Sequence, residues 1–350
     1  MKKKQNLSGM IPYTPGILKP GALKLSSNEN RLGPSPKAIE TIIHSINEVN
    51  IYPDGSCRLL REALAEKTGY KTDNLIIGNG SDELMTLIAA TYLSEGDNAV
   101  IAENTFSEYT FATILFSGTV KKAPLKEGTY DPENMLKLID EKTRIIYFCN
   151  PNNPTGTYVN HKDLDNMISK IPKNTLFVLD EAYADYSDAL DFPDSKKLLE
   201  KYPNLMILRT FSKIYGLAAL RVGYGIARED VIYDILTTKQ PFNVNTPAQI
   251  GATAALKDTE FYEKSRTMNS KGKRYLYEEL ERLELTYYPT QANFICINVE
   301  RDSKELFQKM MDKGVTIRPL SSFGLDQWIR VTVGSEADNK LFIRILENTL

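Results

Sequence analysis

Cysteine and histidine are scarce in this chain of 350 residues. Cys57, Cys149 and Cys296 are odd in number, widely separated and without a CxxC pair, which excludes a disulfide framework and a zinc knuckle. His44 and His161 stand too far apart for an HExxH helix, so no metal site is expected. Positive charge is not in surplus either. Lys plus Arg number 43 against 45 Asp plus Glu, a net charge of −2, so nothing drives sequence-independent attraction to a phosphate backbone and nucleic acid is not an expected partner. No run of about 18 apolar residues occurs, and the basic start MKKKQNLSGM leads into no apolar stretch of signal-peptide length. These absences predict a cytoplasmic protein of a reducing compartment with no membrane partner.

What is present is ordinary globular material, long enough for about two domains. Short apolar runs at 75–77, 99–102, 144–149, 176–179 and 206–208 alternate with helical patterns at 81–93, 106–116 and 162–171. Strands alternating with helices indicate βαβ units and a mostly parallel, doubly wound sheet. From about Thr246 the texture changes to helix, a long charged pattern over 260–284, and short strands at 294–297, 315–317 and 328–333, which predicts a smaller α+β domain. Pro12, Pro15, Pro20, Pro34 and Pro36 suit an irregular arm. The expected division is residues 1–45 as an N-terminal arm and start of the small domain, 46–245 as the large domain and 246–350 as the C-terminal small domain.

Four segments carry chemistry. GNGSDE at 78–83 follows a strand and opens a helix at Ser81, where free N–H groups bind phosphate, although a turn capped by Ser81 or Asp82 would explain it as well. It lacks the last glycine of GxGxxG and the GK[ST] of a Walker loop. NPNNPTG at 150–156 follows another strand; its prolines hold a rigid, non-helical segment where ligands of open α/β sheets bind. LFVLDEAYADY places Asp180 and Glu181 at a strand end, with Tyr183 just beyond. A carboxylate there must be hydrogen-bonded or paired with a cationic ligand group. RTFSKIYGLAALRVGYG sets Lys213 in a polar turn between Thr210, Ser212 and a small-residue run, an environment suited to Schiff-base chemistry. Cys57 and Cys149 lie beside these segments with no histidine to activate them and are read as packing.

Taken together, in this order, the motifs resemble those of fold-type I pyridoxal-phosphate enzymes of the aspartate aminotransferase superfamily, class II group, over almost the whole chain. LSSNEN at 25–30, YPDGSCRLLREALA from Tyr52, PFNVN at 241–245 and IRVTVG at 329–334 are similar to the histidinol-phosphate aminotransferase branch. The resemblance implies a large domain with a mostly parallel doubly wound sheet, a smaller α+β domain and an N-terminal arm. It also implies pyridoxal 5′-phosphate as cofactor and an amino donor with 2-oxoglutarate as substrates.

Residue by residue, it implies that Lys213 holds the cofactor covalently and later moves the proton, that Asp180 pairs with the ring nitrogen, and that Asn153 and Tyr183 contact the ring 3-oxygen. Phe106 would stack on the ring, and Ser81, Asp82, Thr210, Ser212 and Arg221 would hold the phosphate. Tyr52 would reach the phosphate of a neighbouring subunit in a homodimer with shared sites. Arg330 would bind the substrate phosphate and the glutamate carboxylate in turn, with Tyr13 and Asn30 as further substrate contacts. The family usually has proline where Arg31 stands, which adds a cation near the expected mouth. Alternatives on the same scaffold are an aromatic or other amino-acid aminotransferase and a phospho-amino-acid decarboxylase. A non-catalytic descendant would be marked by loss of Lys213 or Asp180, and both are present.

Overall fold

The computed structural model describes residues 1–12 and 19–350. Tyr13 lies outside them. Seven strands form the central sheet in the order Leu75–Gly78, Gly223–Ile226, Leu205–Thr210, Leu176–Asp180, Thr143–Cys149, Asn98–Ala102, Thr119–Ala123. Gly223–Ile226 runs antiparallel to both neighbours, and the other pairings are parallel. The inner strands are buried on both faces, as in LFVLD and NAVIA, which is why they read as unbroken apolar runs rather than as alternation. Thr119–Ala123 is different: TVKKA turns Lys121 and Lys122 outward and closes the sheet edge with charge, so no apolar run announces it. Gly223–Ile226 is short and glycine-rich, and equally silent in the sequence.

A second, four-stranded antiparallel sheet takes the order Arg318–Pro319, Trp328–Thr332, Phe294–Asn298, Tyr287–Tyr288. Its apolar residues pack with those of helix Ser303–Asp312, helix Glu336–Glu347 and the C-terminal half of helix Thr259–Arg282 in a core separate from that of the large sheet. The arm joins this smaller unit through Leu23–Lys24, paired in parallel with Val315–Thr316. Leu25 belongs to the smaller core.

Two helices depart from the expectation. Pro36 starts helix Pro36–Ser45 instead of preventing one, because a first-turn proline forgoes no hydrogen bond and Ser35 caps the turn by accepting from the Ala38 N–H. That helix and Thr246–Leu256 both bury residues in the larger core. Among the described residues no helix is long and apolar enough to cross a membrane.

Candidate active site

The parallel strands Thr143–Cys149, Leu176–Asp180 and Leu205–Thr210 end side by side, with Cys149 paired to Asp180 and Asp180 to Leu208. Beyond their C-terminal ends lies a cavity of about 350 Å³, walled on its other side by the arm and the small unit. Parallel α/β sheets bind ligands at this edge.

One end of the cavity is built for an anion. Helix Ser81–Tyr92 starts after Gly80 with no side-chain cap, so neither Ser81 nor Asp82 consumes its first-turn N–H groups and the positive end of the helix dipole faces the cavity. Gly80 has φ +84°, and a Cβ there would stand 2.6 Å from Arg221 Nη2; a Cβ on Gly223 would stand 2.6 Å from the Ser81 nitrogen. Both glycines therefore let the guanidinium and the helix start close in. Arg221 Nη2 donates to Asp82 Oδ2 at 2.9 Å, and Nη1 donates to Ser212 Oγ at 3.4 Å and to the Ala218 carbonyl at 3.1 Å. Thr210 Oγ1 accepts from the Ser212 N–H at 3.1 Å, fixing that turn. Asp82 thus steers Arg221 through its carboxylate and faces an anion only with its backbone N–H.

At the centre, Asp180 is 2% exposed. Its Oδ2 accepts from the Tyr109 hydroxyl at 2.6 Å and its Oδ1 from the Ala182 N–H at 3.0 Å. Burial pushes its carboxyl up to about 6 even though both donors oppose the shift. Among the described residues no cationic side chain forms an ion pair with it, so the site holds a buried carboxylate facing a cavity and lacking a counter-charge. Phe106 lines the cavity and meets Tyr109 edge-on at 5.8 Å. Lys213 Nζ stands 5.4 Å from the centre of the Tyr183 ring and 3.5 Å from the Ser27 carbonyl.

At the far end, Arg330 is 7% exposed on strand Trp328–Thr332. Its Nη1 donates to Asn153 Oδ1, Nη2 donates to the Ser26 carbonyl at 3.0 Å, and Nε is buried without a partner. Burial lowers its pKa. Its guanidinium carbon lies 5.3 Å from the centre of the Phe294 ring. Arg318 lines the same end.

Three expected residues are not gathered here. Tyr13 is not described. Asn30 donates to the Ile214 carbonyl at 2.7 Å and to Ser265 Oγ at 2.9 Å, and its Oδ1 accepts from the Leu32 N–H; it braces the turn after Lys213 and does not line the cavity. Tyr52 is 80% exposed and stacks on Phe242 at 4.9 Å, away from its own chain's cavity. Arg31, the departure from the family proline, is spent on Asp338 at 3.0 Å. Conversely, the sequence reading assigned no role to Tyr109, Asn28, Glu29 or Arg318. Asn28 and Glu29 lie within LSSNEN but were given no role, and Tyr109 stands three residues after Phe106 on the same face of helix Ser107–Leu115 and its entry turn. Cys149 lines the cavity with its thiol pushed up by burial, in keeping with a packing role.

The family model for aminotransferase class I and II matches residues 20–346. The chain belongs to the class I and II aminotransferases. Among relatives of this aminotransferase, the histidinol-phosphate aminotransferase of Moorella thermoacetica is 46% identical over 100% of this chain and 93% of that protein. That of Halalkalibacterium halodurans is 42% identical over 100% and 97%. A solved putative histidinol-phosphate aminotransferase from Erwinia carotovora atroseptica superposes with a TM-score of 0.89 at 27% identity, covering 93% of this chain and 95% of that one. The fold is also that of the Sinorhizobium meliloti histidinol-phosphate aminotransferase solved with pyridoxal 5′-phosphate (TM-score 0.88, 23% identity, 98% of each chain).

Proposed function

We propose that this aminotransferase moves the amino group of L-histidinol phosphate to 2-oxoglutarate, giving imidazole acetol phosphate and glutamate in histidine biosynthesis, with pyridoxal 5′-phosphate as cofactor. The observation that carries the reading is full-length identity of 42 to 46% with relatives bearing that activity in their names.

The residues present fit the cofactor. The uncompensated Asp180 carboxylate suits a protonated ring nitrogen, the uncapped helix start with Arg221 and Ser212 suits its phosphate, and Lys213 is an amine facing the space between them. When bound, pyridoxal phosphate supplies an electron sink for the charge left at the substrate Cα. Asp180 keeps that sink effective by holding a positive charge at its carboxylate. Asn153 has its Oδ1 committed to Arg330, which leaves its Nδ2 to donate toward the ring oxygen beside Tyr183. Lys213 Nζ, once released, accepts and returns the proton at Cα. Arg330 offers a planar fork that suits a phosphate monoester and a carboxylate equally, which is what a two-substrate cycle through one cavity demands.

The dimer reading rests on an exposed apolar band of Ile43, Ile46, Val49, Ile51, Tyr52 and Phe242. In a two-fold pair Tyr52 reaches the partner's phosphate end. Mixing Tyr52→Phe with Lys213→Ala subunits then restores one intact site per heterodimer; heterodimers no more active than half the Tyr52→Phe parent would reject the shared site. The substrate is tested by offering histidinol phosphate, phenylalanine, tyrosine and phosphothreonine with 2-oxoglutarate. Histidinol phosphate is turned over best; faster turnover of the aromatic amino acids, or carbon dioxide from phosphothreonine, would overturn the assignment.

A further inference from the structure

Tyr183 is held by a side chain to which the sequence reading assigned no role. Asn28 is 1% exposed and takes a left-handed backbone at φ 58°. Its Nδ2 donates to the Tyr183 hydroxyl at 3.0 Å, across 155 positions of sequence. A phenol oxygen that accepts this bond keeps a single proton to give, and the acceptance fixes the direction in which that proton points. The described residues provide no acceptor for it, and the hydroxyl stands beside the cavity that both Asn28 and Tyr183 line.

Asn28 is not itself fixed by the large sheet. Its N–H donates to Thr332 Oγ1 at 2.9 Å, and its carbonyl accepts from Asn293 Nδ2 at 3.0 Å, both in the small unit. Thr332 Oγ1 in turn donates to the Leu25 carbonyl at 2.8 Å, and the Thr332 N–H donates to the same carbonyl at 2.8 Å. The strap from Leu25 to Asn28 is thus stitched to the small unit and reaches over to a tyrosine of the large one.

We propose that Asn28 is a positioning residue: through its amide it aims the Tyr183 hydroxyl proton into the cavity, toward the ring oxygen of the bound cofactor, and it does so only while the strap is seated on the small unit. The proposal rests on the cofactor reading above and assigns a function to a residue that touches neither reacting atom. The charged groups nearest Tyr183 are Lys213, 5.4 Å from its ring centre, and Arg330, which packs on the Phe294 ring that meets Tyr183 edge-on at 5.0 Å; Glu29, Asp180, Arg221 and Arg318 line the same cavity. None of these is altered in any variant below.

The test is a pH titration of the visible absorption of the pyridoxal-phosphate-loaded protein. A proton donated to the ring oxygen stabilises its charged form and lowers the midpoint. Asn28→Asp keeps the shape but offers only acceptors, so the phenol proton turns away from the cavity and the midpoint rises by about one pH unit, tenfold in the protonation equilibrium. Asn28→Gly keeps the left-handed backbone without strain and removes the donor with no new charge; its midpoint rises less, in the same direction. Against a Tyr183→Phe background, Asn28→Gly produces no further shift, since it acts only through the phenol. A midpoint unchanged in both single variants, or an equal shift in the Tyr183→Phe background, would overturn the proposal while the cofactor reading stands. Wild-type protein that takes up no pyridoxal phosphate would overturn both.

Discussion

On the wall of the cavity supplied by the seven-stranded sheet, Asp180 and Thr210 sit on adjacent parallel strands, and Ser212, Lys213 and Arg221 follow within one turn-rich segment. On the opposite wall, Arg330 and Asn28 arrive from the two ends of the chain and are joined through bonds such as Arg330 to the Ser26 carbonyl, 304 residues apart. The first wall is fixed by strand ladders and by glycine close approaches that admit no slack. The second also stands on a ladder strand at Arg330, but its guanidinium is held only by bonds to Asn153 and the Ser26 carbonyl, and the strap residues beyond Leu25 by a few further bonds. That division matches the chemistry: a cofactor that never changes needs the fixed wall, whereas two substrates that alternate need a wall held by bonds that can be exchanged.

The largest expected effect tests the fixed wall at its reactive amine. Lys213→Ala lowers transamination by roughly 100- to 10,000-fold, the range of a lost proton-transfer group. Borohydride treatment of the loaded wild type attaches the cofactor to one lysine, and mass spectrometry of the peptides identifies it as Lys213. Attachment elsewhere would move the reactive centre off this wall.

Next comes Asp180, which separates activity from stability. Asp180→Asn removes the charge proposed to pair with the ring nitrogen and should cost on the order of 100-fold in turnover. Burial pushes the folded carboxyl up to about 6 from an ordinary value of 3.8, so the folded state binds the proton more tightly than the unfolded one. Its charge therefore destabilises the cofactor-free protein above that pH, and the cost fades as pH falls through 6 toward 3.8. Two units at roughly 1.4 kcal/mol each set an upper size of about 3 kcal/mol. Cofactor-free Asp180→Asn should melt above cofactor-free wild type at pH 8, with the gap closing below pH 6. A gap that widens on acidification would mean that another group dominates.

How much of each wall could be read in the sequence follows from the same contrast. GNGSDE, the strand ending in Asp180, and the Thr210–Arg221 segment are contiguous, so their residue types pointed to the fixed wall, although GNGSDE alone read equally well as a capped turn. The resemblance placed Arg330 and Asn153 as well, but not the bond between them. Asn28 lay within LSSNEN without a role, because its importance lies in a contact with Tyr183 that no local pattern encodes. Charge at one strand and glycines at another concealed Thr119–Ala123 and Gly223–Ile226, and helix Pro36–Ser45 was masked by the prolines that read as an arm.

The adjustable wall is tested at Arg330. Arg330→Ala should raise the KM of both histidinol phosphate and glutamate by roughly 10- to 150-fold, the worth of a charged hydrogen bond. Arg330→Lys recovers only part, because a point charge cannot reproduce the bidentate fork. Its Asn153 and Ser26 partners would also be left unsatisfied, which adds a loss in melting temperature that the large-sheet variants do not show. If glutamate alone suffered, the phosphate would have a separate cation, with Arg318 as the neighbouring choice.

The smallest effect is expected at Arg31, and it decides how far the substrate wall extends. Where the family usually has proline, this chain has a cation on the arm just past Asn28, near enough in sequence to be taken for a phosphate contact. Its guanidinium instead pairs with Asp338 at 3.0 Å, both side chains partly shielded, and Asp338 closes a capping box with Ser335 at the start of helix Glu336–Glu347. The capping box survives the loss of Arg31, so Arg31→Ala removes one partly exposed ion pair, about 0 to 1 kcal/mol. Melting temperature should fall by a few degrees at most, and the KM for histidinol phosphate should stay within about twofold of wild type, since Nε and Nη2 are both committed to Asp338. A selective rise in that KM, with glutamate unaffected, would show that Arg31 leaves Asp338 when the phosphate binds. The strap would then supply a substrate charge of its own, and the contrast between a fixed cofactor wall and an exchangeable substrate wall would reach to the outer rim of the cavity.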